Sequence, residues 1–416
     1  PVAAGDKKCY LPFRTGICSA IQRAVLRIGT TAIATSDEFG KYSTIKRQFK
    51  TNEEKQLKDF TTKGTMDGME GDNSNDGFYQ PCNVDWTGGA KVGVVPPPIQ
   101  LTTSETECPV FTIKISELFP MMRNVQLPLY LIHEPVSIEL SWKKQPTGAG
   151  FVGNIACFES GYAGDTSISI GQTNVKFLAD YLTYDDDRME EAAKQVMSDT
   201  GMVVPYEDLI LTSTSTPAVV PAPTGAVVVP QSVNRELGLS GKVVRSIVSM
   251  DSKSQNNLFL GRYASHGYNV ADAYNVRIND AVKYNRPVVR ESYKQSQLAQ
   301  VFSADLNVLN CEYSTNQLTN KQLGNHTINN QLMTDATVAG HTVRGSFEGH
   351  QHFMGIDLTT SPYNIMGVGT LVGQKPISID RTINRTAENN IERFVSYWAV
   401  VERQFVLRAG QVQVSA

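Results

Sequence analysis

The densest group of side chains able to bind a metal lies between His341 and His352, in the sequence HTVRGSFEGHQH. His350 and His352 are two residues apart, so a β-strand places both on one face, together with Glu348. Imidazoles and carboxylates are zinc ligands. Such histidines are more commonly surface or subunit-contact residues. The sequence therefore predicts no metal site, and Glu348, His350 and His352 are the residues that would form one.

Three consecutive carboxylates, Asp185 to Asp187, have the chemistry of a catalytic acid and base. They stand directly before the segment MEEAAKQVM, which reads as a helix ending near Gly201. Carboxylates at a helix N-terminus complement the helix dipole, and Asp187 with Glu190 matches a capping box. We interpret the three residues as the start of a helix.

Motifs for catalysis or cofactor binding are absent from the sequence. Gly367, Gly369 and Gly373 lack the spacing of a dinucleotide-binding loop. No Walker loop, G-x-S-x-G elbow or H-E-x-x-H motif occurs, and His133-Glu134 is followed by Pro135, which would break a zinc-binding helix. The sequence predicts a protein that is not an enzyme and has no cofactor.

Length and composition favour a β-rich protein with two cores. A chain of 416 residues suits two cores of roughly 200 residues each. Hydrophobic residues make up 41% and charged residues 19%, below the ~25% typical of soluble domains. This low charge fits a surface covered by neighbouring subunits, and equally an ordinary protein rich in strands.

Charge and cysteine usage exclude some partners and compartments. The formal net charge is −3 without a basic run, so we expect no direct sequence-specific nucleic-acid binding. No apolar run is long enough for a transmembrane helix, and the first residues carry no signal-peptide pattern. Six scattered cysteines predict buried thiols and assembly in cytosol or nucleus, with a Cys9–Cys18 disulfide as an open alternative.

Period-two alternation marks most of the predicted strands. In the first half, strands are predicted at Phe111–Ile115, Val136–Trp142 and Asn174–Tyr184, with Val175, Phe177, Ala179 and Tyr181 on one face of the last. In the second half, they are predicted at Lys242–Met250, Tyr274–Val282, Val301–Val308, in two parts of Val338–Leu358, and in a terminal hairpin of Phe394–Leu407 with Gln411–Ser415.

The predicted strands divide into two β-sandwiches in tandem. We place the first domain at 1–200 and the second at 201–416. The first contains a helix and a Gly/Asp-rich loop near 42–77 and closes with the acidic helix near 186–200. The second begins with a Pro/Thr/Val-rich segment at 211–230, which fits an arm lying across a neighbour or a surface loop.

Three segments resemble the double jelly-roll major capsid proteins of double-stranded DNA viruses. The first is Glu117–Pro120 with Leu127–Leu129 and His133–Leu140, which is similar to late strands of the first jelly roll. The second is Phe177–Glu191, similar to its closing strand and helix. The third is Glu402–Ser415, similar to the terminal strands. The resemblance is to the polinton-like virus and virophage type, with large nucleocytoplasmic DNA viruses more distant.

This resemblance implies a mainly β fold of two tandem eight-stranded antiparallel jelly rolls, with short helices in loops and at the domain junction. It also implies a pseudo-hexameric homotrimer that tiles an icosahedral shell in the virion. Implied partners are the chain itself, a penton protein and minor capsid proteins, and an internal membrane is compatible with the resemblance. Phe119 and Trp142 would then be core or wall residues and not ligand contacts.

A different class of protein also fits an all-β chain. A secreted β-sandwich carbohydrate-binding protein or adhesin is the alternative, and a glycan-active enzyme on the same scaffold would need a pair of carboxylates on one concave face. A signal sequence, disulfides and an aromatic binding face would favour the secreted protein.

Overall fold

The computed structural model describes residues 9–12, 16–47, 59–63, 78–79, 111–142 apart from 124 and 126, 157–158, 175–252 apart from 181, 182, 184, 225 and 226, 272–302 apart from 290, 327–328, 331–332, 336–338, 341–343, 353–359, 369–385, 390 and 392–415. Across these residues the chain is mainly β with short helices, which confirms the predicted fold class.

The described strands before residue 200 form two antiparallel sheets. They are Cys9–Pro12 (β1), Ile21–Ile28 (β2), Thr31–Asp37 (β3), Phe78–Tyr79 (β4), Val136–Trp142 (β5) and Cys157–Phe158 (β6). One sheet has the order β3-β2-β5 and the other β4-β1-β6. The strand predicted from Val136 to Trp142 is thus confirmed as β5.

Four helices accompany these strands. They are Phe39–Arg47 (α1), Phe60–Lys63 (α2), Ile115–Leu118 (α3) and Asp186–Met197 (α4). Single 3₁₀ turns occur at Gly16–Ala20, Pro120–Arg123 and Leu129–Leu131. The helix predicted near 42–77 is confirmed in part by α1, which begins three residues before that range, at Phe39. Residues 48–58 lie outside the described residues.

Fourteen strands and one helix are described after residue 200. The strands are Met202–Thr216 (β7), Val229–Leu237 (β8), Val243–Ser252 (β9), Ala273–Ile278 (β10), Ala281–Val282 (β11), Thr327–Ile328 (β12), Gln331–Leu332 (β13), Ala336–Val338 (β14), His341–Val343 (β15), Phe353–Asp357 (β16), Thr370–Leu371 (β17), Ile377–Arg385 (β18), Arg393–Arg408 (β19) and Gln411–Ser415 (β20). The helix is Glu291–Val301 (α5).

Eight of these strands pair in a nested order. Along the chain these strands are β7, β8, β9, β10, β11, β16, β18 and β19. The outermost pair is β7 with β19, and inside it follow β8 with β18, β9 with β16 and β10 with β11. Two further pairings, β19 with β9 and β18 with β10, join these eight strands into two antiparallel sheets of four. Strands β17 and β20 extend one of the two sheets to six strands. This pairing is that of an eight-stranded jelly roll, so the second unit has the predicted fold.

The first unit is described less completely. Six strands are described before residue 200, so eight strands there and a domain boundary at residue 200 stay predictions. The long strands β7 and β19 pair from Met202–Leu407 at one end to Thr216–Arg393 at the other. They contribute side chains to the cores of both units.

Three hydrophobic clusters hold the chain together. The first core lies in the first unit and includes Phe119, Tyr206 and Phe405. The second core fills the space between the two sheets of the jelly roll. The third cluster lies on the outer face of one of those sheets. Successive side chains of β19 point to opposite faces, so Tyr397 belongs to the second core and Trp398 to the third cluster.

The strand predicted for Phe111–Ile115 is wrong. Residues 111–114 have no regular structure, and Ile115 begins α3. The Thr112 amide donates to the Thr62 carbonyl at 2.7 Å, which ties this segment to α2. Ile113 and Ile115 pack against the first core, so their alternation records burial without a strand ladder.

The strand predicted for Asn174–Tyr184 is also wrong for its described part. Residues 175–180 have no regular structure, and their side chains are exposed. The acidic helix that follows is confirmed as α4, but its N-cap is Asp185, not Asp187, and this cap makes no side-chain hydrogen bond. Gly201, with a φ of +70°, follows the helix and permits the turn into β7.

Three predictions in the second unit need correction. The single strand predicted at Tyr274–Val282 is instead the hairpin of β10 and β11, which turns at Asn279 and Asp280. Residues 211–216 of the Pro/Thr/Val-rich segment form the end of β7, and irregular chain begins only at Pro217. Val301, predicted to start a strand, is instead the last residue of α5. By contrast, the strand from Lys242 is confirmed as β9, and the terminal hairpin is confirmed as β19 and β20.

Candidate functional site

The two β units meet where α1 of the first unit packs on the outer sheet face of the jelly roll. Trp398 of β19 is fully buried there, and its ring centroid lies 6.0 Å from that of Tyr42 in α1. Its indole N–H donates to the Asp37 carbonyl at 3.3 Å. Helix α5 covers the same face through Leu298. We call this contact the inter-unit joint.

A buried carboxylate strengthens the same joint. Asp208 of β7 accepts hydrogen bonds from the Thr35 amide of β3 at 3.3 Å and from Arg403 of β19 at 2.7 Å. Burial raises the pKa of Asp208, and the bonds from Arg403, Leu209 and Thr35 offset only part of that rise. Nearby, the Tyr206 hydroxyl donates to the Ile33 carbonyl at 2.7 Å. Strands of both units are thus tied by polar contacts in a largely buried interface.

We expect Trp398→Ala to destabilise the protein by about 3–5 kcal/mol, because it leaves a large cavity in the inter-unit joint. Urea unfolding followed by circular dichroism measures the loss. Trp398→Phe is the matched control: it keeps an aromatic ring against Tyr42 and removes the indole N–H that reaches Asp37. Trp398→Phe should therefore lose clearly less unfolding free energy than Trp398→Ala. An unchanged unfolding midpoint for Trp398→Ala would show that this joint does not hold the units together.

Charged side chains fill one end of the jelly-roll interior. Strand β18 alternates strictly, and its inward positions change from Ile377 and Ile379 to Arg381, Ile383 and Arg385. The residues Asp251, Asp272, Arg381, Arg385 and Arg393 are all buried, and we call them the buried charge cluster. They lie on or beside four neighbouring strands, β9, β10, β18 and β19. Up to 142 positions separate them in the sequence, but the fold brings their side chains together.

One ion pair in this cluster is bidentate. The two terminal nitrogens of Arg381 donate to the two carboxylate oxygens of Asp251 at 2.9 and 2.6 Å. Burial lowers the pKa of Arg381, but the adjacent Asp251 outweighs it, so the net pKa is raised. The Asn384 amide donates to Asp272 at 2.7 Å. These contacts make the cluster a structural element of the sandwich.

A second buried cluster lies in the first unit. Lys63 of α2 is 3.0 Å from the Asp59 carboxylate and 2.5 Å from that of Glu117. Burial lowers the pKa of Lys63, but Cys18 and the two carboxylates outweigh this effect and raise it overall. Burial also raises the pKa of the Cys18 thiol to about 12. Cys18 is free, so the alternative of a Cys9–Cys18 disulfide is wrong.

Large apolar side chains are exposed on the segment that precedes α4. Val175 is 48% exposed, Phe177 63% and Leu178 85%. The chain there is extended without regular structure, and among the described residues no strand pairs with it. Contiguous apolar side chains exposed to water are common at contact surfaces between proteins.

Of the residues singled out from the sequence, the structure describes the three aspartates but not the candidate metal ligands. Glu348, His350 and His352 lie outside the described residues. Within the described ranges no group of three or more His, Cys, Asp or Glu side chains is arranged to hold a metal. The aspartates Asp185–Asp187 are exposed at the start of α4, as a helix start predicts.

The glycines of the rejected dinucleotide motif have structural positions. A Cβ atom on Gly369 would come within 2.7 Å of the Val244 backbone. The Gly369 amide donates to the Glu402 carboxylate at 2.9 Å. The Gly373 amide donates to Asn279 at 2.9 Å. Gly367 lies outside the described residues.

Sequence reasoning missed the buried charge cluster. Arg381 and Arg385 occupy the inward positions of a strictly alternating strand, which is the one signal that was present. An arginine in the apolar register of a strand predicts a buried ion pair, because an unpaired buried charge is very costly. The partner could not be named, since Asp251 lies 130 residues away.

No described helix is both long and apolar enough to span a bilayer. No protein-family model matches the chain, and no curated protein matches it in sequence.

Solved structures do match the chain over nearly its whole length. The match to a quasi-atomic model of the PBCV-1 virus capsid covers 98% of this chain and 85% of the capsid chain, with 12% sequence identity and a TM-score of 0.49. The match to the cryo-EM structure of the Sputnik virophage covers 98% of this chain and 76% of the virophage chain, with 9% sequence identity and a TM-score of 0.41. The match to the mavirus major capsid protein covers 98% of this chain and 79% of the mavirus chain, with 12% sequence identity and a TM-score of 0.37.

At these identities, and with TM-scores below 0.5, the likeness assigns no role to any residue. The jelly roll of the second unit is established by the strand pairings of this chain. Among the solved structures that the chain resembles are a virus capsid and a major capsid protein.

Proposed function

We propose that the chain is a major capsid protein, a non-enzymatic structural subunit that forms homotrimers and tiles an icosahedral virus shell. The observation that carries this proposal is a complete eight-stranded jelly roll fixed to a second β unit by a buried joint. Two β units held as one block give six such units in a trimer, which has a pseudo-hexagonal outline. Residues 1–200 would form the first jelly roll and residues 201–416 the second.

The inter-unit joint supports a rigid building block. Trp398, Leu209 and Met250 from the jelly roll and Tyr42 and Ile45 from α1 are all buried in one cluster. Closely packed aromatic and aliphatic side chains resist relative movement of the units. A subunit that repeats in a shell needs this fixed geometry, because each copy must present the same contact surfaces.

The exposed segment around Phe177 supports contacts between copies. Burying Phe177 and Leu178 against a neighbour would remove apolar surface from water, at about 25 cal/mol per Å² of area. Permanent complexes commonly bury 2,000 Å² or more, so this segment would be one part of a larger interface. We propose that residues 175–180 lie in the contact between subunits of the trimer.

The remaining partners follow from the same proposal. A trimer lattice needs a penton protein at the five-fold positions and minor capsid proteins between trimers, and an internal membrane is compatible with it. The protein would be located in the virion after assembly in the host cytoplasm or nucleus. The shell encloses a genome without direct sequence-specific contacts from this chain, whose formal net charge is −3.

Size-exclusion chromatography with light scattering tests the proposal. We expect a particle of three chain masses, and electron micrographs of concentrated protein should show hexagonal tiles. The double variant Phe177→Ser, Leu178→Ser should shift the population toward monomer while its circular dichroism spectrum stays unchanged. A wild-type monomer that binds glycans on an array would instead favour the secreted carbohydrate-binding protein or adhesin.

A further inference from the structure

The outer edge of β7 carries backbone groups that have no partner strand among the described residues. Strand β7 pairs along one side with β19, and no described strand pairs with its other side. In an antiparallel pair, alternate residues direct both backbone groups toward the partner strand, and the residues between them direct both groups away from it. The pairing with β19 has no bulge, so a single alternation holds over the whole of Met202–Thr216.

Three observations indicate that the odd-numbered residues of β7 face away from β19. Pro205 has no backbone N–H, and proline fits a strand where that group would point outward. The Leu209 amide donates at 2.9 Å to the carboxylate of the preceding residue. The Ser215 carbonyl accepts from the Arg235 guanidinium of β8 at 2.7 Å. The outward direction of alternate residues is thus consistent from one end of β7 to the other.

Leu211 and Ser213 have the same outward direction but no such partner. Among the described residues, no hydrogen bond to their outward N–H and C=O groups is present. The strand before them is covered by the first unit, because Tyr206 and Asp208 are hydrogen-bonded to β3. After them, the guanidinium group of β8 already occupies the last outward carbonyl. We call Leu211–Ser213 the β7 window.

The β7 window opens onto a groove between the edges of the two jelly-roll sheets. The groove has a volume of about 440 Å³ and is lined by residues 212–214 of β7 and 234–237 of β8. Its lining contains one guanidinium, one carboxylate and no aromatic ring, so it has neither an excess of charge nor a stacking surface. Free N–H and C=O groups at a strand edge instead bind the main chain of an extended peptide.

Residues 175–180 of a second copy have the properties of such a peptide. Their side chains are exposed, no described strand pairs with them, and their sequence has the alternation of a strand. Lys176 and Asp180 carry one charge of each sign, which matches the one charge of each sign in the groove. A trimer with rotational symmetry joins two different surfaces of the chain. The exposed segment and the β7 window supply these two surfaces.

We propose that residues 175–180 of one copy add as a short strand to the β7 window of the next copy. This inference rests on the proposed capsid trimer and names the surface that receives the exposed segment. Leu211 and Ser213 offer two donors and two acceptors to the added main chain, which sets the register of the contact. The addition covers an unpaired strand edge, and shell subunits with a free edge would also pair in unwanted ways.

Ser213→Pro tests the β7 window in the full chain. The substitution removes an outward N–H and places a ring where the added strand would lie, but the ladder with β19 keeps its hydrogen bonds. We expect the dissociation constant of the trimer, measured by sedimentation equilibrium, to rise at least about tenfold, with an unchanged circular dichroism spectrum. Val203→Pro is the matched control, because it puts the same ring at an outward position outside the window, and it should leave the dissociation constant unchanged.

Photo-cross-linking covers the case in which Ser213→Pro does not fold. Phe177 is replaced by benzoylphenylalanine in trimers mixed from isotopically light and heavy chains, and mass spectrometry identifies the joined peptides. A cross-link from position 177 of one chain to residues 211–214 or 234–237 of another supports the proposal. A cross-link to a different surface overturns it, as does a wild-type dissociation constant in a folded Ser213→Pro. These results leave the trimer itself intact, whereas a wild-type chain that stays monomeric would overturn the proposed function as well.

Discussion

We expect Phe119→Asp to abolish the soluble trimer, because the substitution places a carboxylate in the first core. Phe119 is fully buried and packs among side chains from both halves of the chain. Removing a buried phenylalanine side chain costs about 3–5 kcal/mol. An unpaired buried charge adds several kcal/mol more, which together approach the whole stability of a typical domain. Sedimentation velocity and circular dichroism measure the loss.

Phe177→Asp is the matched control for this experiment. It introduces the same carboxylate at a phenylalanine that is 63% exposed, so the free energy of unfolding of the chain should change by less than about 0.5 kcal/mol. Its position in the proposed subunit contact allows an effect on assembly without an effect on folding. A Phe119→Asp protein that sediments like wild type would contradict the assignment of Phe119 to the core.

The second large effect is expected for Asp251→Asn. The amide keeps the volume of the side chain but removes the charge that pairs with Arg381 through two hydrogen bonds. Breaking a buried ion pair from one side costs about 3–5 kcal/mol, since the remaining charge stays buried. Urea unfolding of the variant at pH 7 measures this loss as a lower midpoint.

Asp380→Asn provides the comparison at the surface. Asp380 pairs with Arg277 at 2.6 Å on neighbouring strands of the same jelly roll, but both side chains are partly exposed. Water solvates the arginine that remains, so the loss should be below about 1 kcal/mol. Equal losses for the two asparagine variants would show that the buried charge cluster contributes no more than an exposed ion pair.

The terminal hairpin and the acidic helix show what local patterns predict well. The alternation of Phe394–Leu407 and the turn at Arg408–Gly410 indicate a hairpin, and β19 and β20 form it in that register. The carboxylates and the helical periodicity after Asp185 indicate α4. In both cases neighbouring residues supply the structure, so distant parts of the chain are not needed to recognise it.

The segment Phe111–Ile115 shows where the same patterns fail. Its alternation has the strand period, yet the described residues form one hydrogen bond to α2 and then begin α3. Alternate burial against the first core produces the pattern without a neighbouring strand. Period-two spacing therefore indicates which side chains are buried. A β-strand also needs a neighbouring strand whose backbone N–H and C=O groups are available for hydrogen bonds.

The candidate site was the least predictable part of the molecule. The inter-unit joint brings Tyr42 against Trp398, and the sequence contains no signal that pairs these two residues. The prediction that Phe119 and Trp142 are core or wall residues is confirmed, since Phe119 is buried in the first core and Trp142 is partly buried against it. The side chains that join the two units could be named only from the fold.

The sequence by itself determined a mainly β chain with two cores, a helix before the second unit and a hairpin at its end. These features depend on local spacing, which fixes the period of burial and the start of a helix. The tertiary structure alone decided the nesting of the eight strands and the carboxylate partners of Arg381 and Arg393. Three of the four nested strand pairs and these charge pairs join residues more than 100 positions apart, and local spacing contains no information about such partners.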